Sequence, residues 1–202
     1  MASDKGLEAM TAASGLFEEL PRRLFLDSST LQRPESYGEF IYDGGSIDEH
    51  DRIWSVPGGV DEIEALRTIM FVGQRACFEL VVSNNSFREV EDSGRVSYLM
   101  WAYEVLGYWD GLLRNYADHG VAPFSGWGEE MARKLESAKF GYLSRKDGVL
   151  IRDAVTLECD AFLTMDTKLA KNGAHVEREL GLRIMTPSAY WKLLQPWAAL
   201  YV

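Results

Sequence analysis

Apolar residues recur along the chain in two rhythms, short uninterrupted runs and longer stretches at helical spacing. The runs are Leu24-Phe25-Leu26, Phe78-Glu79-Leu80-Val81-Val82, Ala161-Phe162-Leu163-Thr164 and Leu182-Arg183-Ile184-Met185-Thr186. Each stops at turn-forming or polar residues, such as Asp27-Ser28-Ser29-Thr30 and Ser83-Asn84-Asn85-Ser86, as buried strands do. Helical spacing predicts a helix from Ser3 to Leu20, stopped by Pro21, and another from Asp61 to Arg75 through Ile63, Leu66, Ile69 and Met70. A short helix carries Phe87, Glu89 and Val90. Further helices cover 96 to 116, 128 to 140, Ser144 to Leu157, and the stretch after Pro187 that holds Tyr190, Trp191 and Leu194. Residues 33 to 59, rich in Gly, Pro, Ser, Asp and Tyr, predict a loop insertion.

Short apolar strands alternating with helices predict an α/β fold: a three-layer α/β/α sandwich around a central, mostly parallel sheet. We expect one domain over 1–202, with the 33–59 loop insertion and an aromatic-rich helical region at 96–140. In that region Tyr98, Trp101, Tyr103, Tyr108, Trp109 and Tyr116 stand at helical spacing, which reads as a packing face rather than a base-stacking platform.

Composition narrows the function classes. The chain is 47% hydrophobic and 26% charged, so it is globular in character, and no apolar run approaches the roughly 20 residues a membrane span needs. Its N-terminus carries acids where a signal peptide needs a basic end, and two cysteines do not make a disulfide framework. A soluble, cytoplasmic protein is expected. Asp and Glu total 31 against 21 Lys and Arg, a net charge of −10, which argues against nucleic-acid binding through a broad basic surface. It leaves room for acids gathered at a metal site that meets an anionic substrate, and equally for a solvated surface.

Position sorts the acids. In a parallel sheet, ligands meet the protein at the carboxyl ends of the strands. Asp27 and Asp166 directly follow the first and third strands, and Glu89 sits early in the helix after the second. Asp147 lies in the first turn of a helix whose N-terminus returns to the same edge, whereas Asp153 faces the other way. Four carboxylates in one cleft stay ionised together only if cations offset their repulsion. Mg²⁺ or Mn²⁺ suits such oxygen ligands, and would activate water and neutralise a phosphodiester. Each acid also has an ordinary use: Asp favours strand ends, Glu89 fits a solvated helix face, and Ser144-Arg145-Lys146-Asp147 is a capping box.

These residues resemble a known family. Leu24-Phe25-Leu26-Asp27-Ser28-Ser29 is similar to the opening strand motif of PIN-domain nucleases, and Phe78 to Ser83 with Phe87-Arg88-Glu89-Val90 is similar to their second strand and acidic position. Asp147, Ala154 and Cys159-Asp160-Ala161-Phe162-Leu163-Thr164-Met165-Asp166 resemble the family's Asp, helix, "(A/C)D-x-(L/F)-(V/L)-T-x-D" pattern, and Met185-Thr186-Pro187 its terminal strand. The resemblance implies a metal-dependent endoribonuclease with Asp27, Glu89, Asp147 and Asp166 as metal-binding catalytic acids. Ser29 and Thr164 would be the hydroxyls that orient ligands or water. It also implies RNA as substrate and, because many small PIN proteins are toxins, admits an antitoxin partner. The chain departs from the compact toxin type through 33–59 and 96–140, and Arg152 stands where a small residue is common.

Arg145, Lys146, Lys168 and Lys171 flank two of the acids and are candidate phosphate contacts or plain surface charges. Glu79 and Glu91 compete with Glu89. Glu79 lies inside a strand, and Glu91 is two positions round the helix. His50, His119 and His175 are scattered and carry no expected role. The rival reading is a non-catalytic PIN-like module that binds metal or protein, and the aromatic surplus also admits a homodimer. A phosphohydrolase with a covalent aspartate ranks lower, since it needs Asp-x-Asp and Asp27 is followed by Ser28-Ser29.

Overall fold

The four apolar runs form one sheet. A computed structural model describes residues 17, 19–76, 78–137, 140, 141 and 143–201. Apart from Phe17, Glu19 and Leu20, the helix expected over Ser3 to Leu20 lies outside them, as does Cys77. Strands β1 (Arg23–Leu26), β2 (Glu79–Val81), β3 (Ala161–Leu163) and β4 (Arg183–Met185) are ordered β2-β1-β3-β4. The pairs β1–β2, β1–β3 and β3–β4 are all parallel, so the sheet expected to be mostly parallel is wholly so among these strands.

Burial on both faces explains the uninterrupted apolar runs. Leu24, Phe25 and Leu26 are each 0% exposed, because alternate side chains enter two different cores. Leu24 and Leu26 join Ala161 and Leu163 under three helices: α1 (Ser28–Tyr42), α2 (Gly59–Ala76) and, later in the chain, α9 (Pro187–Ala198). Phe25, Val81, Phe162 and Ile184 face the other core with α6 (Arg145–Thr156) and α8 (Gly173–Leu180). Phe25 and Phe162, directly opposite across β1 and β3, stack with centroids 5.3 Å apart. Between β2 and β3 run α3 (Asn84–Asp92), α4 (Val96–Asp118), α5 (Trp127–Ser137) and then α6; α7 (Thr167–Lys171) follows β3. Helices covering both faces of a parallel sheet make this an α/β protein compatible with three layers.

Helix α4 buries Tyr98 and Trp109, as its spacing predicts, while Tyr103 and Tyr108 stay exposed. Tyr98 and Val105 enter the first core and Trp109 the second, so the helix passes from one to the other. The Tyr98 and Tyr108 hydroxyls donate to the carbonyls of Ser28 (2.8 Å) and Phe78 (3.0 Å). No helix among the described residues is long and apolar enough to cross a membrane.

The loop expected over 33–59 begins later than its composition implies. Residues up to Tyr42 belong to α1, with Pro34 buried inside it and a break from helical dihedrals at Tyr37 (φ −127°, ψ 26°). Proline removes a helix hydrogen bond and crowds the preceding turn. Burial of Leu31, Pro34 and Ile41 against the core nonetheless keeps the helix running across its kink. Within the remaining connection, a 3₁₀ turn at Arg52–Ser55 is capped by Asp51, whose Oδ1 accepts from Ile53 N (2.7 Å) and the Tyr37 hydroxyl (3.0 Å). Gly59 then passes so close that a Cβ would lie 2.8 Å from the Ile53 carbonyl oxygen.

Glu158, unremarked in the sequence, clamps the turn before β3 to the start of α5. Only 7% exposed and in the left-handed region (φ 51°), it accepts from Ser125 N (2.6 Å), Ser125 Oγ (2.9 Å), Gly126 N (2.6 Å) and Gly128 N (3.2 Å). Burial alone would raise its pKa, but donors from Ser125, Gly128 and Gly126 outweigh burial and hold the carboxyl below the usual range. We therefore expect Glu158→Gln to destabilise the fold by about 2 kcal/mol at neutral pH. An acid with a lowered pKa contributes stability that is full above its unfolded value and is lost as pH falls through its folded value. The gap between wild type and variant in urea melts should accordingly narrow in acid.

Candidate functional site

The chain leaves β1 for β2 on one side and returns to β3 on the other, so the sheet's switch point lies between the carboxyl ends of β1 and β3. Asp27 ends β1 at this crevice. It occupies the N-cap position of α1, and its carbonyl accepts from Thr30 N (2.9 Å) and Leu31 N (2.7 Å), yet its side chain does not cap the helix. The carboxylate turns instead to two hydroxyls. Ser29 Oγ (2.6 Å) and Thr164 Oγ1 (2.8 Å) both donate to Asp27 Oδ2.

The hydroxyls are themselves fixed by the β3 turn. Ser29 Oγ accepts from Met165 N and Thr164 Oγ1 from Asp166 N, each at 3.0 Å. Each hydroxyl has one proton to give, so the 3.4 Å approach of Ser29 Oγ to Thr164 Oγ1 lies between two donors whose protons are already committed to the same carboxylate oxygen. Among the described residues, Asp27 Oδ1 has a hydroxyl neighbour only in Ser28 Oγ at 3.4 Å. Asp27 is 8% exposed, and burial raises its pKa above the ordinary carboxylate value. Donation by Ser29, Thr164 and the Ser28 backbone pulls it partly back, while the charge of Glu89 adds to the rise.

Glu89 comes from α3, whose N-terminus is set at the end of β2 by a capping box between Ser83 and Ser86. Phe87 and Val90 bury the core side of this helix, and Glu89 is half-buried within electrostatic range of Asp27. Its competitors are placed elsewhere. Glu79 lies at the amino end of β2, ion-paired with Arg23 and hydrogen-bonded by Tyr116, and Glu91 is exposed.

Asp147 and Asp166 both serve helix ends. Asp147 closes a capping box: its N–H donates to Ser144 Oγ (3.1 Å) and its Oδ2 accepts from Ser144 N (3.3 Å). Asp166 caps α7, its Oδ1 accepting from Lys168 N (2.7 Å) and Leu169 N (3.1 Å). Asp166 is joined to Asp27 through the Thr164 hydroxyl, whereas Asp147 remains on its own cap. Asp153 accepts from Asn85 Nδ2 at 2.9 Å and so ties α6 to the start of α3.

The structure thus links Asp27, Ser29, Thr164 and Asp166 by hydrogen bonds and Glu89 by charge. Among the described residues, it does not gather three or more His, Cys, Asp or Glu side chains into a group that could hold one metal ion. The donor set still suits a hard cation by chemistry. Asp147 Oδ1, Asp166 Oδ2 and both oxygens of Glu89 accept no hydrogen bond among the described residues, and single carboxylate oxygens are what Mg²⁺ and Mn²⁺ take.

Arg145 and Lys146 line a cleft of about 220 Å³ between α3 and α6, together with Glu89 and Arg88. Arg88 carries no local signal for this place, because its neighbourhood depends on how the two helices pack. Lys168 and Lys171 stand apart on α7. A separate apolar cavity of about 290 Å³, lined by Ile69, Met70, Phe78, Leu80 and Trp101 among others, holds none of the site residues.

Compared with protein-family models, with curated proteins and with solved structures, the chain finds no match in any of the three.

Asp27 carries a folding penalty that pH should reveal. A carboxyl whose folded pKa is raised favours the protonated native state, so stability falls as pH rises from the unfolded pKa through the folded one and then levels. Asp27→Asn should remove that fall and melt at higher urea than wild type above neutral pH, with the advantage vanishing in acid.

Proposed function

We propose that the chain is a divalent-metal-dependent endoribonuclease of PIN-like type that hydrolyses RNA phosphodiester bonds with Asp27, Glu89, Asp147 and Asp166. The observation that carries this reading is the buried Asp27 carboxylate at the switch point, with one oxygen held by the hydroxyls of Ser29 and Thr164 from two different elements. A structural aspartate at an N-cap spends its oxygens on the helix; Asp27 does not. Bound there, Mg²⁺ or Mn²⁺ would supply an activated water and neutralise the phosphodiester.

The residues divide the remaining work. Ser29 and Thr164 fix the direction of the Asp27 carboxylate, so a ligand meets it without reorganisation. Glu89 supplies negative charge within electrostatic range of Asp27, and Asp166 stands on the turn that the Thr164 hydroxyl ties to Asp27. Asp147, capped through one oxygen only, has the other to offer from the start of α6. Toxin status, with an antitoxin as partner, belongs to the same proposal, as does a homodimer.

One observation favours a second reading, a non-catalytic module that binds metal or protein. Asp147 and Asp166 each commit an oxygen to a helix cap, and no three acids among the described residues close on one ion. Cleavage of labelled single-stranded RNA in Mn²⁺, Mg²⁺ or EDTA decides between the two. The nuclease reading expects metal-dependent cleavage that falls by about a hundredfold or more in Asp27→Asn and in Asp147→Asn. It also expects a loss of about tenfold in Thr164→Val, which leaves every acid in place but removes one of the two hydroxyls that hold the Asp27 carboxylate. Absence of cleavage under all conditions, with metal raising the melting temperature, would support the module instead.

A further inference from the structure

We infer that the cleft between α3 and α6 is a phosphate-binding subsite that anchors a single-stranded RNA chain by the backbone phosphate next to the one at the acids. This rests on the nuclease reading and adds to it where the strand runs. Arg88 from α3 and Arg145 and Lys146 from the first turn of α6 line the cleft with Asn85 and Glu89. Glu89 is shared, lining the cleft while lying within electrostatic range of Asp27, so the cleft adjoins the candidate acids at Glu89.

The charges there run against those of the chain as a whole. With 31 acids to 21 Lys and Arg the chain is acidic, yet Arg88, Arg145 and Lys146 gather at one cleft and, among the described residues, none of the three forms an ion pair. Three unpaired cations sharing one cleft repel each other, and an anion relieves that repulsion. They outnumber the two acids of the lining, Glu89 and Asp92.

Chemistry favours a phosphodiester as that anion. Two guanidinium forks match phosphate oxygens bidentately, Lys146 adds a point charge, and the positive end of α6 reinforces both of its first-turn cations. Among the described residues the lining contains no aromatic side chain, so the cleft suits backbone rather than a stacked base, and anchoring is independent of sequence.

Fluorescence anisotropy of a labelled single-stranded RNA oligonucleotide, in EDTA so that nothing is cleaved, tests the subsite. The triple variant R88Q/R145Q/K146Q should bind at least about tenfold more weakly at low salt. Its salt dependence between about 50 and 200 mM should be shallower by about 0.7, one phosphate's share. A control with equal charge loss at exposed positions, R52Q/R114Q/K192Q, should keep wild-type affinity within about twofold. Arg88, Arg145 and Lys146 are exposed, so the fold should survive; K146Q alone, checked by its melting temperature, is the fallback. Equal weakening in both triples, unchanged binding in the first, or no binding by wild type would overturn the subsite. Cleft-dependent binding by a wild type that cleaves nothing in any metal would leave the subsite standing and remove the nuclease. Cleavage by R88Q/R145Q/K146Q at undiminished kcat/KM would do the reverse.

Discussion

The site depends on a carboxylate placed where the fold is driest. Asp27 follows three residues with no exposure at all, and it is itself almost covered. An isolated charge in that position is costly, and a bond to neutral hydroxyls lowers the cost without neutralising it. The two hydroxyls come from different places, Ser29 from the start of α1 and Thr164 from the end of β3. Each is positioned in turn by a backbone N–H of the β3 turn. One oxygen of one side chain thus fastens together the two central strands at the end where a ligand would enter.

The other acids illustrate a contrast in how aspartate is used. Asp147 and Asp166 behave as helix caps, each spending one oxygen on backbone N–H groups at the start of its helix. That use orients the side chain and leaves the second oxygen outward, so capping and ligation compete less than the sequence alone suggests. Asp27 occupies an N-cap position too, but its side chain has been recruited elsewhere. Helix geometry therefore places all three, while only Asp27 is made sensitive to its surroundings by burial.

What was legible in the sequence follows from locality. The strands are readable because β1 and β3 are covered on both faces, leaving Leu24-Phe25-Leu26 and Ala161-Phe162-Leu163 without a polar interruption. The sheet-edge rule then located Asp27 and Asp166, and the capping box at Ser144 and Asp147 was visible as a four-residue pattern. The α1 helix was hidden by Pro34 and Gly38, whose composition signals a loop unless one knows that the core buries Pro34. The Glu158 clamp joins residues 30 to 33 positions apart and leaves no local trace. Arg88 was likewise invisible as a cleft residue, since α3 and α6 meet only in three dimensions.

The separation of the two strands in the chain has a kinetic corollary. Asp27 and Thr164 are 137 residues apart, and all of α1 to α6 lies between them. Closing so long a loop comes late, after the local helices have formed. During synthesis, β1 leaves the ribosome with its acid already in place but with one of its two hydroxyl partners still unmade. The proposed nuclease would therefore be unfinished until synthesis has passed Thr164 and β3 has docked beside β1.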